Sequence, residues 1–368
     1  MDLSTCVLKL DHSVGDPQPY PNFRQIPGFP VYGVGQPTEA GFSQLAEKIP
    51  KEKTIWFNVR QEPVVYINGL PCAPRTKDNL HENITLSLKQ AELNDLQVKF
   101  AKSIDGMQKD GCLELHKDKD FQENPMERED FADTVKTESI KDFNSIIAGL
   151  AETSMPGLTV VRVPFQEERP LPEDCFDIIV SQLANESPST TQCVFNSQAG
   201  KGRSTMGTVI ACIIKASQMI IKLNKMVEEG MAEKSWADGI IRKKFEDPLP
   251  SEDLKDPFLR GEFDVIKELL ESVPECAEGK VLADKMIDMC GVPPEGTGLQ
   301  NIRKCIIETK YKYDASTEDK QVVWKRMIIN FIERYFYLIC FATYARAQAK
   351  DEFKKTFVSW MDEHSNLR

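Results

Sequence analysis

Histidine is scarce. There are four in 368 residues, His12, His81, His116 and His364, and no His pair or His/Cys cluster is present. That excludes a zinc-type centre and leaves no cofactor or metal to expect. Ten cysteines run from Cys6 to Cys340 without a C-x-x-C pair. They are too sparse for a disulfide scaffold and read as reduced, mostly buried thiols of a cytosolic protein. The opening stretch MDLSTCVLKLDHSVGD has no apolar run and carries early acids, so no signal peptide is expected. The longest apolar stretch, Met327 to Ala345, is broken by Glu333 and Arg334 and reads as a buried helix rather than a membrane span. No repeat of about 20–50 residues is evident. Positive charge is the minority sign: 46 Lys+Arg against 57 Asp+Glu, a net charge of −11. A whole-surface attraction to nucleic acid or anionic lipid is excluded, and an anion site has to be a local basic patch.

What is present is ordinary globular material, 41% apolar and 28% charged. The length corresponds to about two domain-equivalents. Residues 1–37 are punctuated by Pro and Gly and predict an extended segment. TIWFNVRQEPVVYINGLPCAPR, 54–75, predicts two strands and a turn at Asn68-Gly69. Residues 79–154 are highly charged, with helical spacing at Leu86, Leu93 and Leu96 and a second helix over 142–152. Leu158–Val163 predicts a strand, 176–183 a helix and Cys193–Asn196 a short apolar strand; 206–226 predicts a long buried helix. Four helices are expected beyond 230, over 263–270, 281–289, 302–311 and 322–349. The fold class is α/β: a central, partly parallel sheet flanked by helices, with an added C-terminal helical layer. The expected organisation is an extended segment 1–37, an α/β core 38–230 and a helical layer 231–368.

Between the strand ending at Asn196 and the long helix lies Ser197-Gln198-Ala199-Gly200-Lys201-Gly202-Arg203-Ser204. Glycines let a backbone turn its N–H groups inward, and a helix start adds partial positive charge, so a strand–loop–helix of this kind cradles a phosphate-sized anion. Arg203 is placed to grip two phosphate oxygens. The segment is not a G-x-x-x-x-G-K-[ST] loop and not a G-x-G-x-x-G fingerprint. A plain glycine-rich turn is the competing reading.

S-Q-A-G-K-G-R-S resembles the C-x5-R-[ST] loop of the cysteine-dependent phosphatases, with Ser197 at the nucleophile position. The wider chain resembles the paladin group of tyrosine-phosphatase-like inositol phosphatases. NFRQIPGFPVYGVGQPT (22–38), Phe57–Glu62 with Tyr66–Gly69, ERYFYLICFATY (333–344) and FVSWM (357–361) carry that likeness. The resemblance implies a phosphatase-type domain acting on phosphate monoesters, with inositol phosphates or phosphoinositides as the substrate class. It also implies Ser197 and Arg203 in catalytic positions, with Gln198, Ala199, Gly200, Lys201, Gly202 and Ser204 as phosphate-binding residues. The family often has His before the nucleophile; here it is Asn196. A serine hydroxyl stays protonated near neutral pH where a thiolate would form, so the chain is expected to bind phosphate and turn it over very slowly or not at all. Two origins fit Ser197, a natural loss of the nucleophile and a substrate-trapping Cys→Ser replacement. A pseudophosphatase that binds a phosphorylated ligand or protein is the alternative function.

A general acid should come from the loop after Leu158–Val163, and the resemblance implies Glu167, which falls where the family tends to have an Asp or Glu, with Glu168 the runner-up; a solvated acidic loop is the competing reading. Arg60, which follows a strand, is a further candidate phosphate-binding residue lining the pocket, with a surface ion pair as the competing reading. Arg24 and Arg75 are candidate rim cations. The aromatics Trp56, Trp324, Trp360 and Tyr335-Phe336-Tyr337 are expected in the core. The expected partner is a phosphorylated small molecule or lipid headgroup, with no nucleic acid. The expected location is the cytoplasm, with peripheral contact at endosomal or other membrane surfaces.

Overall fold

The structure, a computed structural model, describes residues 6–11, 18–84, 86, 90–118, 130–166, 169–249, 255–291, 299 and 301–367. In chain order the strands and helices of the first half are β1 (Val7–Leu10), β2 (Arg24–Gln25), β3 (Val31–Val34), α1 (Glu39–Lys48), β4 (Thr54–Asn58), β5 (Val65–Ile67), β6 (Leu70–Arg75), α2 (Gln90–Ser103), β7 (Cys112–Asp118), β8 (Asp130–Lys136), β9 (Ile140–Asp142) and α3 (Phe143–Thr153). There follow β10 (Leu158–Arg162), α4 (Glu173–Leu183), β11 (Gln192–Asn196), α5 (Gly202–Glu228), α6 (Lys234–Ile241), α7 (Asp264–Ser272), α8 (Cys276–Cys290), α9 (Ile302–Asp314), α10 (Glu318–Gln348) and α11 (Phe357–Glu363). The chain divides into two interleaved units. One comprises Met1–Arg24, Tyr32–Glu167 and Gln192–Ser204; the other comprises Gln25–Val31, Glu168–Thr191 and Thr205–Arg368.

The first unit holds the sheets. In the five-stranded sheet, ordered β10-β4-β11-β3-β2, the interior strand β4 runs parallel to both neighbours, and Asn58 lies opposite Arg162 on one side and Asn196 on the other. β4 and β11 are buried at every position, as strands covered on both faces must be. Phe42, Trp56, Tyr66, Phe143 and Leu150 fill one side, with Phe42 edge-on to Phe143 at 6.1 Å. Thr38 caps α1 through Gly41 N–H (3.0 Å), and Asp142 caps α3 through Ser145 N–H (3.1 Å). The second sheet has six strands, ordered β8-β7-β1-β6-β5-β9. Its β5–β6 hairpin turns on Asn68 (φ +52°) and Gly69 (φ +79°), the doubly positive turn that Asn-Gly favours. Leu8, Leu10, Val65, Phe100, Leu113 and Leu115 form its own core.

This six-stranded sheet was not anticipated. The charged stretch 79–154 carries one helix where helical spacing suggested it, α2, but then three strands before α3. The extended segment 1–37 supplies β1, β2 and β3.

The second unit is helical. The 335–345 part of α10 is buried almost throughout, which accounts for the long apolar run without a membrane. Phe341 packs on Phe176 of α4 (4.9 Å) and edge-on to Phe357 of α11 (5.3 Å). The Asp177 carboxylate accepts the Phe357 and Val358 N–H groups (2.6 and 3.1 Å), capping α11 from another element. Of the aromatics expected in the core, Trp56, Trp360 and Tyr335 are buried, while Trp324, Phe336 and Tyr337 are half-buried. The reason is helical geometry: neighbouring residues on one helix cannot all face one core.

Candidate phosphate-binding site

The loop begins where β11 ends, and that end is pegged. Trp56 Nε1–H donates to Asn196 Oδ1 (2.6 Å), and Asn196 Nδ2 donates to Gln36 Oε1 (2.9 Å). Asn196 is therefore a buried structural peg. Ser197 N–H donates to the Val34 carbonyl (3.2 Å), which continues the sheet one residue into the loop.

The next three carbonyls are all taken by one segment of chain. Gln198 O accepts from Gln36 N–H (2.8 Å), Ala199 O from Asn22 Nδ2 (2.7 Å) and Gly200 O from an Arg24 guanidinium nitrogen (2.7 Å). With the 198–200 carbonyls each taken by a donor from 22–36, the N–H on the opposite edge of each trans peptide is left for another acceptor, the arrangement that binds an anion. Gly200 N–H donates to Ser197 Oγ (3.1 Å). Glycine is required at 200 twice over. Its φ is +74°, and a Cβ would stand 2.3 Å from Gly35 N. The Gln198 side chain accepts from Asn83 Nδ2 (2.9 Å). Lys201 and Gly202 are half-buried, Ala199 is exposed and Ser197 is 2% exposed. Ser204 is fully buried, and its hydroxyl has no hydrogen-bond partner among the described residues. From Gly202 onward the chain is α5, whose N-terminus adds its dipole to the cradle.

Arg203 is held by a carboxylate that its own neighbourhood does not reveal. Its guanidinium donates to both oxygens of Glu62 (3.2 and 3.4 Å). Glu62 also accepts from Arg60 Nε (2.7 Å), and Arg60 in turn grips Asp11 through both terminal nitrogens and Gln36 Oε1 (3.2 Å). The side chains of Asp11, Arg60 and Glu62 have no exposed surface. Burial alone would raise the Glu62 carboxyl, but Arg203, Arg60 and Arg75 together hold it well below the usual carboxylate range. Burial would likewise lower Arg60, and Asp11 and Glu62 reverse that. Arg162 anchors the turn from beneath, donating to the carbonyls of Arg60 (3.1 Å) and Glu62 (2.7 Å). Burial lowers it to about 10, so it stays charged at neutral pH.

The structure places Ser197, Gln198, Ala199, Gly200 and Lys201 in the loop and Gly202, Arg203 and Ser204 in the first turn of α5. Arg60 is neither a pocket wall nor a surface ion pair, because its donors are spent on Asp11, Glu62 and Gln36. Arg24 and Arg75, read as rim cations, are buried at 5% and 1% exposure; Arg24 braces the loop's outer side. Glu167 and Glu168 lie outside the described residues. Sequence reasoning missed Asp11, Asn22, Gln36 and Glu62. Only Glu62 left a signal, its place in Arg60-Gln61-Glu62.

A family model described as PTP-like phytase, inositol hexakisphosphate, matches residues 57–215. Paladin from Danio rerio is 26% identical over 93% of this chain, and paladin from Homo sapiens 23% over 93%. The chain spans 39% and 35% of those two relatives' lengths. Among solved structures, the PTP-like myo-inositol phosphatase from Mitsuokella multacida, in complex with myo-inositol-(1,3,4,5)-tetrakisphosphate, superposes with a TM-score of 0.60 at 14% identity, covering 98% of this chain and 48% of that one. A PTP-like phytase from Bdellovibrio bacteriovorus gives 0.51 at 16% identity, covering 96% of this chain and 94% of that one. The likeness first drawn from a handful of motifs therefore holds along nearly the whole chain: its fold is that of the PTP-like phytases, and its curated relatives are paladins.

Proposed function

We propose that this chain is a cysteine-phosphatase-type domain that binds phosphate monoesters of the inositol phosphate or phosphoinositide class at residues 197–204, and that Ser197 leaves it binding rather than hydrolysing. One observation carries the reading: three successive loop carbonyls are each bonded by segment 22–36 while Gly200 N–H donates to Ser197 Oγ, just before the start of α5 and an arginine fixed by a buried carboxylate. Arg203 holds two phosphate oxygens, the amides of 198–202 hold the others, and the free Ser204 hydroxyl is a further donor. A cysteine at 197 would form a thiolate in this cradle, attack phosphorus and release the ester oxygen, which takes a proton from Glu167. Water would then cleave the phosphocysteine. The second reading, a pseudophosphatase, is favoured by Ser197 itself, whose hydroxyl accepts a loop amide and has no histidine adjacent in sequence.

Ser197→Cys tests the class. Phosphate release from a panel of inositol phosphates and phosphoinositides should rise from background, with a covalent phosphocysteine visible by phosphorus NMR. In that variant, Glu167→Gln should slow hydrolysis of an alkyl phosphate about 10²–10⁴-fold and spare an activated aryl phosphate, whose leaving group needs no proton. Glu168→Gln is the control. Silence of Ser197→Cys on every substrate would favour the pseudophosphatase reading.

A further inference from the structure

Arg24 lies 176 residues from the loop it touches. Its guanidinium bridges the Gly200 carbonyl (2.7 Å) and the Asn22 carbonyl (3.0 Å), and Asn22, in a left-handed conformation (φ +53°), sends its side-chain amide to the next carbonyl along, Ala199 (2.7 Å). The space the guanidinium fills exists because residue 33 is glycine. A Cβ there would stand 2.6–2.8 Å from the three terminal guanidinium atoms. Arg24 is 5% exposed, so water cannot readily replace it behind the loop.

We propose that Arg24 is a positioning residue for phosphate binding: seated over Gly33, it sets the 200–201 peptide directly and, through Asn22, the 199–200 peptide, so that the Lys201 and Gly200 N–H groups face the anion, and it never touches the anion itself. The proposal rests on the phosphate-binding reading of the loop. A carbonyl without its donor is free to rotate inward, and an inward carbonyl repels phosphate. A charged donor facing a buried carbonyl makes a strong bond, and its loss leaves the acceptor unsatisfied.

The chemistry predicts a convergent phenotype from two unlike substitutions. Arg24→Ala removes the guanidinium. Gly33→Ala keeps it and pushes it off its seat, a movement a flexible side chain makes more readily than backbone. Calorimetric titration with inorganic phosphate should show each variant binding about tenfold more weakly than the unsubstituted chain, and the double variant no weaker than either single one. Hydrogen exchange should quicken at the amides of 198–202 in both variants while β4 and β11 keep their protection. Arg203→Ala is the reference, because it removes a ligand of the phosphate itself. Unchanged phosphate affinity in Arg24→Ala alongside a loss in Arg203→Ala overturns the role of Arg24 and leaves the binding site standing. No phosphate binding by the unsubstituted chain overturns the site, and unaltered exchange at 198–202 in both variants then overturns the clamp on its own terms. Additive losses in the double variant also contradict it, since one seat cannot be vacated twice.

Discussion

The two halves of the loop are held by different physics. The amide half, Ser197 to Gly200, is secured by hydrogen bonds from segment 22–36 to backbone carbonyls, mostly from neutral donors. The arginine half is secured by a chain of alternating buried charges, Asp11, Arg60, Glu62 and Arg203. Carbonyl clamps set a shape and are nearly indifferent to pH. A buried charge chain sets a direction for one guanidinium, and it is intolerant of losing a member because each charge left behind is desolvated and unpaired. The loop thus combines a pre-shaped set of donors with a pre-aimed cation, and the two should fail differently.

The largest expected effect strikes the charged half. Glu62→Gln leaves Arg60 and Arg203 without their shared carboxylate and should destabilise the fold by about 3–5 kcal/mol in urea titration, the scale for breaking a buried pair. The amide half should break more gently. Gly200→Ala forces a Cβ into a left-handed position, costing roughly 1–2 kcal/mol, and pushes on the Gly35 backbone. It should weaken phosphate binding more than it lowers stability.

A pH series sharpens the contrast further. Because the Glu62 carboxyl is held low in the folded state, its contribution is complete above the unfolded-state value of about 4.3 and is lost as the pH falls from there toward the lower folded-state value. The stability gap between the unsubstituted chain and Glu62→Gln should therefore stay constant above about pH 5 and narrow in more acid solution. The gap for Gly200→Ala should not follow that curve, and a Glu62 gap that widens in acid would contradict the ion-pair assignment.

How much of this was legible in the sequence follows the range of the interactions. Strand β11, the glycine-rich loop and α5 are contiguous, and their apolar–glycine–apolar order announces them. The Asn68-Gly69 turn is equally local. Strand β8 was hidden because it is an edge strand with mostly exposed residues, and in β7 only Leu113 and Leu115 are fully buried in alternation with polar neighbours. The supports of the loop were hidden for another reason. Arg203 meets Glu62 across 141 residues and Ala199 meets Asn22 across 177, and no periodicity marks such pairs. Arg24 and Arg75 look like free cations in a sequence. Burial converts one into a brace and the other into an electrostatic neighbour of Glu62.

The account stands or falls on the loop as an anion cradle aimed by Arg203. Calorimetric titration of the unsubstituted chain with a myo-inositol phosphate, repeated with Arg203→Ala, tests that most directly. Binding that weakens by about 1.5–3 kcal/mol on losing the guanidinium is the predicted result; equal affinity in the two proteins would contradict it.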